Sequence, residues 1–347
     1  MAVSQDKPLN TIQATPLSAA VLGQFRGLLY HPRAYQARRL KSLIRRPLLP
    51  LYSLNGQYEG DPLRVLIADD GSALTYFRDL IFHGDAEVSR RGAVPSVLAP
   101  RLASADSDIV IVAANQFLLS LYRGRDFHFL PKWMRVYLPV WDHPDVMLKA
   151  MTGSTACTVR KNLRKAMSSG FTCELKDDVS WFDRFYSEIY RPYALNRFGD
   201  HAVTDDYSKM RNIFQHGMGI ELQKDGEIAG GVVIVRSNRV LYCYRLGLAD
   251  TDRTNREGGS VALYYYMMLL AHSWGCSGLD LGHSRPFASD GVLRFKLKWG
   301  ARPLDADNGI GVFALAAPRR TPQAMRFLQA NPFYEMRNRR VVLCDEM

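Results

Sequence analysis

MGIELQKDGEIAGGVVIVRSNRVLYCYRLGLADTDRTNREGGSVALYYYMMLLAHSWGCSGLDLG, residues 218–282, sets the architecture of this chain. Met218 to Gln223 and Ile228 to Arg236 read as strands around Lys224-Asp225-Gly226-Glu227, a hairpin turn centred on Asp-Gly. Ser237-Asn238 makes a second turn, and Arg239 to Leu246 is a third strand. After a polar loop, Gly258 to Trp274 has the length and composition of a helix rich in aromatics. Gly278 to Gly282 is a short strand. Three antiparallel strands, a helix opened by glycine and one more strand make a specific order.

Upstream, Thr158 to Ser169 is a basic helix stopped at Gly170, and Phe171 to Leu175 alternates as a strand. Trp181 to Tyr193 is a helix with Phe182, Phe185, Ile189 and Tyr190 on one face. Asp205 to Phe214 is a shorter helix. A second, smaller α/β unit occupies residues 64 to about 150. It has a strand at Arg64–Ala68, a helix over Ser72–Phe82, a continuous apolar strand at Asp108–Ala113, and a strand region between Phe127 and Pro139. Residues 1–23 form a polar arm. Residues 24–46 carry a run of Arg and Lys without an acid and lead into an apolar stretch. That segment fits a solvated basic face, a peripheral membrane contact through residues 24–54, or contact with a phosphorylated ligand or a partner protein.

The chain has 347 residues, 47% hydrophobic and 23% charged, which excludes a disordered chain, a collagen-like repeat and a disulfide-stapled miniprotein. The formal net charge of +11 calls for an anionic partner: a phosphate-bearing cofactor, a nucleic acid or an anionic membrane. Five cysteines without CxxC spacing point to reduced thiols, and no zinc-type pattern is present. With neither a secretory signal nor a transmembrane stretch, a cytoplasmic location is expected.

The phrases VRKNLRKA at 159–166, KDGEIAGGVVIVRSNRVLYCYRLGLADTD at 224–252, REGGSVALYYYMMLLAHSWGCSGLDLGHSRPF at 256–287 and DGVLRFKLKWG at 290–300 resemble the GNAT acyltransferase superfamily. Within it they are similar to the FemAB/CelD-type branch with BioF2-like acetyltransferase domains. The resemblance covers about residues 155–305. It implies an α/β (α+β) fold of tandem GNAT-like units, each a mixed, mostly antiparallel sheet flanked by helices. The expected organisation is an N-terminal arm at 1–63, a degenerate GNAT-like unit at 64–154, a transferase domain at 155–317 and a C-terminal tail at 318–347.

The resemblance also implies a site. Arg256, Gly258, Gly259 and Ser260 would hold donor phosphates on backbone amides at a helix N-terminus, where orphan N–H groups and the helix dipole attract anions. Glu257 departs from the family's loop, and a plain glycine turn is the alternative. Phe295-Lys296 matches the Phe-Lys pair of Fem-type transferases, whose lysine stabilises charge on the reacting carbonyl. The alternation of Arg294, Lys296 and Lys298 equally fits a solvated face. Tyr193, Arg197 and Phe198 would line the acceptor cleft. Tyr242 and Tyr244 share one face of the third strand, where Tyr244 could act as an acid and Tyr242 hold the acceptor, or both could be core. Asp280 or His283 would take the proton from the attacking group.

The function this implies is transfer of an acyl group from an acyl-CoA-like thioester to an amine or hydroxyl acceptor, such as an envelope or exopolysaccharide (glycan or peptide) precursor. Two alternatives stand beside it: an aminoacyl-tRNA-dependent FemAB-type transferase, with tRNA as partner, and a non-catalytic GNAT-like binding subunit. No tightly bound cofactor and no metal are expected. Nothing in the sequence specifies an oligomeric state.

Overall fold

A computed structural model describes residues 48–344, apart from 70, 72, 115, 123, 200, 201, 203, 306–310, 338 and 339. The basic run at 24–46 lies outside the described residues. The described chain forms two compact units. A central unit comprises 138–281, and a split unit combines the residues up to 137 with those from 282 onward.

The split unit opens with a hairpin of β1 (Leu48–Tyr58) and β2 (Asp61–Ala68), turned at Glu59 and Gly60, both at positive φ. Sequence reading placed residues 48–63 in the arm; instead Leu49 and Leu54 are buried in this sheet. Helix α1 (Leu74–Phe82) follows, held at its start by Asp69, whose Oδ2 accepts the Ala73 N–H at 2.8 Å. Then come β3 (Ala86–Pro95), β4 (Ile109–Ala114) and β5 (His128–Pro131). β4 runs parallel to β2, and its continuous apolar run reflects burial on both faces. β3 is an exposed edge whose Arg90 and Arg91 give no apolar period and blunt edge-to-edge pairing. β6 (Met134–Pro139) carries the chain out of this unit.

In the central unit, α2 (Pro144–Ala150) and the basic α3 (Gly153–Ser168) precede β7 (Thr172–Lys176). The expected helix from Trp181 is a continuous run of α4 (Val179–Arg184), a π-helical turn at Phe185–Tyr190 and α5 (Arg191–Phe198). α6 (Tyr207–Phe214) is capped by Asp206, whose carboxylate accepts the Lys209 N–H at 2.8 Å. β8 (Met218–Lys224), β9 (Glu227–Ser237) and β10 (Val240–Leu248) form the antiparallel meander. Asp225 and Gly226 both take positive φ, as a primed turn requires. The second turn sits one residue later than the sequence suggested, at Asn238 and Arg239, because those residues take the left-handed conformation.

The expected polar loop contains α7 (Thr251–Glu257), capped by Asp250. α8 (Gly259–Ser273) is buried on nearly every side, which explains its unbroken apolar and aromatic sequence. β11 (Gly278–Ser284) then joins β10 in parallel and passes into the split unit. That unit is completed by α9 (Gly291–Lys298), β12 (Arg302–Pro303), β13 (Val312–Ala316), α10 (Pro322–Ala330) and the hairpin of β14 (Phe333–Arg337) with β15 (Arg340–Cys344). β13 pairs with β4 on one side and β5 on the other.

The fold is therefore α/β, with mostly antiparallel sheets flanked by helices. One order occurs in both units: an antiparallel pair, a helix, and a strand parallel to the second of the pair. It is β9-β10-α8-β11 in the central unit, with α7 before α8, and β1-β2-α1-β4 in the split unit, with β3 interposed before β4. All five cysteines are free thiols, and no helix among the described residues is long and apolar enough to cross a membrane.

Candidate functional site

In the central unit, β10 is the strand on which the candidate side chains gather. Its parallel ladder with β11 runs only from Val240↔Gly278 to Tyr242↔Asp280, although β10 itself continues to Leu248. On its other side the register with β9 shifts between Cys243 and Arg245, so Tyr244 is the extra residue of a β-bulge. The pleat alternation that placed Tyr242 and Tyr244 on one face is interrupted there. Asp280 is buried on β11, opposite Tyr242.

Tyr244 is tied to Asp205, a residue the sequence reading did not select. The Tyr244 hydroxyl donates to Asp205 Oδ2 at 2.8 Å, and Arg245 reaches the same oxygen at 2.6 Å. Lys209 binds Oδ1, the Asp205 N–H donates to the Tyr190 hydroxyl at 3.2 Å, and the Tyr186 hydroxyl donates to the Asp205 carbonyl at 3.1 Å. Burial alone would raise the Asp205 carboxyl, but Lys209, Arg245 and Tyr244 outweigh it and hold it below the usual carboxylate range. Burial, and then the Asp205 carboxylate, push the Tyr244 phenol well up. The phenol is thus a standing donor to Asp205, which fits a positioning group better than an acid working on substrate.

Tyr193 and Arg197 on α5 do come together: the guanidinium lies 5.7 Å from the Tyr193 ring centroid. Tyr193 is buried and its phenol is raised by that burial, with Arg197 opposing and Cys243 adding to the rise. Tyr264 from α8 belongs to the same electrostatic group. The side chain of Phe198 lies outside the described side chains.

The glycine turn takes an unexpected form. Gly258 has φ 99° and serves both as the end of α7 and as the cap of α8, so a helix rather than a strand leads into it. A Cβ on Gly258 would stand 2.9 Å from the Ala166 Cβ of α3, and one on Gly259 would stand 2.4 Å from Thr254 Cγ2. These glycines are needed first for helix packing. Ser260 Oγ donates to Asn255 Oδ1 at 2.6 Å, and Glu257 is neutralised by Lys224 at 2.7 Å and by Arg253. Arg256 is exposed, as are Lys161, Arg164 and Lys165 on the outer face of α3, whereas Arg160 binds the Leu148 and Met151 carbonyls. Among the described residues no carboxylate pairs with those four exposed cations. The turn abuts α3, since Ser169 Oγ donates to the Glu257 carbonyl at 3.0 Å.

In the split unit, Phe295 and Lys296 lie on α9, whose cap Asp290 accepts the Leu293 N–H at 2.8 Å. Helical spacing, not alternation, governs this segment. Arg294 faces solvent, while Leu293 and Lys296 share the inward face. Lys296 is only 4% exposed, and its ammonium donates to the carbonyls of Gly282 at 3.3 Å and His283 at 2.9 Å. The solvated-face alternative therefore fails for Lys296. The His283 side chain is exposed; its backbone carbonyl is what meets the lysine. Phe295 packs edge-on against Trp299, centroids 6.5 Å apart.

Two further groups near Lys296 were not selected from sequence. Asp290 carries a carboxyl raised by burial, with Lys296 and Arg285 among the influences that moderate the rise. Arg285 is buried, with its guanidinium 3.8 Å from the Trp133 ring centroid and 4.4 Å from that of Tyr76. An Arg-Pro step after a strand and an Asp before a helix were the available signals, and neither is specific. Elsewhere in this unit His128, Glu335 and Cys344 place their ligand atoms within 4.8 Å of one another. Glu335 is already engaged there: Oε2 meets His128 Nδ1 at 2.9 Å and Oε1 binds Arg337. Burial pulls the His128 imidazole downward, so the group reads as a His128–Glu335 hydrogen bond beside the Glu335–Arg337 ion pair.

No protein-family model matches the chain, and no curated protein matches it. Similar solved structures include FemX, 13% identical over 85% of this chain and 94% of that one, with a TM-score of 0.43. L-PGS from Bacillus licheniformis is 11% identical over 81% and 84%, at 0.37. A tandem GNAT protein from the clavulanic acid biosynthesis pathway is 10% identical over 75% and 79%, at 0.34. The fold is read from the strand order above and not from these likenesses.

Proposed function

We propose that the protein transfers an acyl or aminoacyl group from an activated, phosphate-bearing donor to an amine or hydroxyl acceptor. The observation that carries this reading is Lys296: an ammonium taken out of water and fixed by two backbone carbonyls on the strand end at Gly282 and His283. Such a cation needs no reorganisation when negative charge develops on a reacting carbonyl oxygen. In the step envisaged, the acceptor nitrogen or oxygen bonds to the acyl carbon, the carbonyl becomes an oxyanion facing Lys296, and the thioester or ester bond then breaks. The acceptor's proton passes to a base and on to the leaving sulfur or oxygen. Asp290, raised by burial, joins His283 of the same unit as a candidate for that base.

On the central unit, taken by itself, the exposed cations Lys161, Arg164, Lys165 and Arg256 around the Gly258 turn form a surface suited to phosphates. An acyl-CoA-like thioester is the first reading. An aminoacyl-tRNA ester is the second, favoured by the packing of Gly258 on Ala166, which fills the space over the glycine turn. An envelope or exopolysaccharide precursor as acceptor rests on the sequence resemblance alone. The test is transfer from acetyl-CoA, longer acyl-CoAs and aminoacyl-tRNA to a panel of amines and alcohols. Lys296→Met should lower turnover by about 100-fold or more while leaving donor affinity intact. Unchanged turnover in that variant removes Lys296 from the reaction.

A further inference from the structure

The Arg285 side chain poses a question that the fold itself does not answer. It is 9% exposed, and burial pulls its affinity for a proton downward. Its faces are occupied by aromatic contacts with Trp133 and Tyr76. Those contacts leave the in-plane N–H donors to be satisfied. Among the described residues its one hydrogen bond is from Nη1 to the Lys132 carbonyl, at 3.4 Å. No carboxylate oxygen there lies within ion-pair distance of it; Asp69 and Asp290 act on it only at longer range. Asp69 is fully buried and bound to Lys132 Nζ at 2.8 Å, so that cation and anion offset one another. Arg285 itself has no carboxylate at that distance among the described residues.

Among the described residues two hydroxyls are also unsatisfied: Tyr76 Oη, on the ring that Arg285 covers, and Ser284 Oγ, on the residue preceding Arg285, are buried and have no hydrogen-bond partner. A largely buried guanidinium whose remaining N–H donors bond no protein group among the described residues, with the idle Tyr76 hydroxyl on the ring it covers, offers a place for an anion. A fork of parallel N–H bonds matches the two oxygens of a carboxylate.

We propose that Arg285, with the neighbouring Ser284 and Tyr76 hydroxyls, binds the carboxylate of a small organic acid, so that the acceptor is an amino acid or peptide bearing a free carboxylate. The acceptor assignment rests on the transferase reading; the binding of a carboxylate does not.

The experiment titrates the full chain with N-acetylglycine, N-acetylglycinamide and inorganic phosphate, followed by tryptophan fluorescence, since Trp133 stacks on Arg285, and by calorimetry. N-acetylglycine should give a saturable change, and its neutral amide none. Arg285→Lys should weaken binding at least tenfold by destroying the fork. Should that variant fail to fold, Ser284→Ala serves instead: its hydroxyl has no protein partner to lose, so affinity should fall severalfold with an unchanged melting temperature. Equal responses to acid and amide, tighter binding of phosphate than of the acid, or full affinity in both variants would overturn the site. Lys296→Met separates the two readings, since it should lose turnover yet keep the N-acetylglycine response. Loss of turnover in that variant, with no carboxylate response in the wild type, sinks the carboxylate site and spares the transferase.

Discussion

Replacing Asp205 by Asn tests the knot beneath β10. The substitution keeps the size of the side chain and one carbonyl oxygen, but removes the charge that meets Tyr244, Arg245 and Lys209. The Asp205 side chain is 7% exposed and Arg245 29%, so losing that pair leaves a partly buried cation uncompensated. Breaking a buried pair from one side costs about 3–5 kcal/mol, and part-exposure of Arg245 brings the figure toward the lower end. The phenol bond from Tyr244 to a charged acceptor adds about 1 kcal/mol more. Lys209, 57% exposed, adds little because water screens it. A loss of roughly 3–4 kcal/mol is a large share of the ~5–15 kcal/mol that holds a typical domain. The sign with pH follows from the depressed Asp205 carboxyl: its contribution is present above the ordinary aspartate range and is lost as pH falls through the lowered folded value. Urea unfolding at neutral pH should therefore separate wild type from Asp205→Asn widely, and the gap should close in strong acid. A gap below about 1 kcal/mol at pH 7, or one that persists undiminished in acid, refutes the reasoning.

Other outcomes follow from the same geometry. A Cβ on Gly219 would lie 2.1 Å from Cζ3 of Trp181, a ring stacked on Phe185 at 5.0 Å, so Gly219→Ala should cost about 1–3 kcal/mol in chemical denaturation. Asp290→Asn keeps a cap for α9 but removes a buried charge. Because the folded carboxyl is raised, the native aspartate stabilises most at acid pH and loses that advantage as pH rises through the folded value, so the melting temperature of the variant should gain on wild type between acid and mildly alkaline buffers. Reversing Lys161, Arg164 and Lys165 to Glu should weaken donor binding at least tenfold and flatten its dependence on salt, as read by titration at several ionic strengths.

Much of the architecture was written in local pattern. The Asp225-Gly226 turn between two apolar segments announced β8 and β9, and the aromatic-rich run from Val261 to Leu270 announced a helix, whose burial on nearly every side the structure adds. Helix α7 hid because its residues are polar and exposed; Asp250 as an N-cap was the one available sign. β3 hid because an exposed edge needs no apolar period. The candidate site was half legible. Lys296 was found through the Phe-Lys pair, yet its burial came from helical spacing that alternating charges disguised. Asp205 escaped because its partner Tyr244 lies 39 residues away, and Arg285 because Lys132 lies 153 residues away, distances at which no periodicity carries information.

The central claim, a phosphate-bearing acyl donor, is tested most directly by equilibrium binding of labelled acetyl-CoA and of aminoacyl-tRNA to the full chain at low and at moderate salt. The account predicts saturable binding of at least one of them, weakened at least tenfold in Arg256→Glu combined with Lys161→Glu. Binding of neither donor, or binding of either one indifferent to that charge reversal, would contradict it.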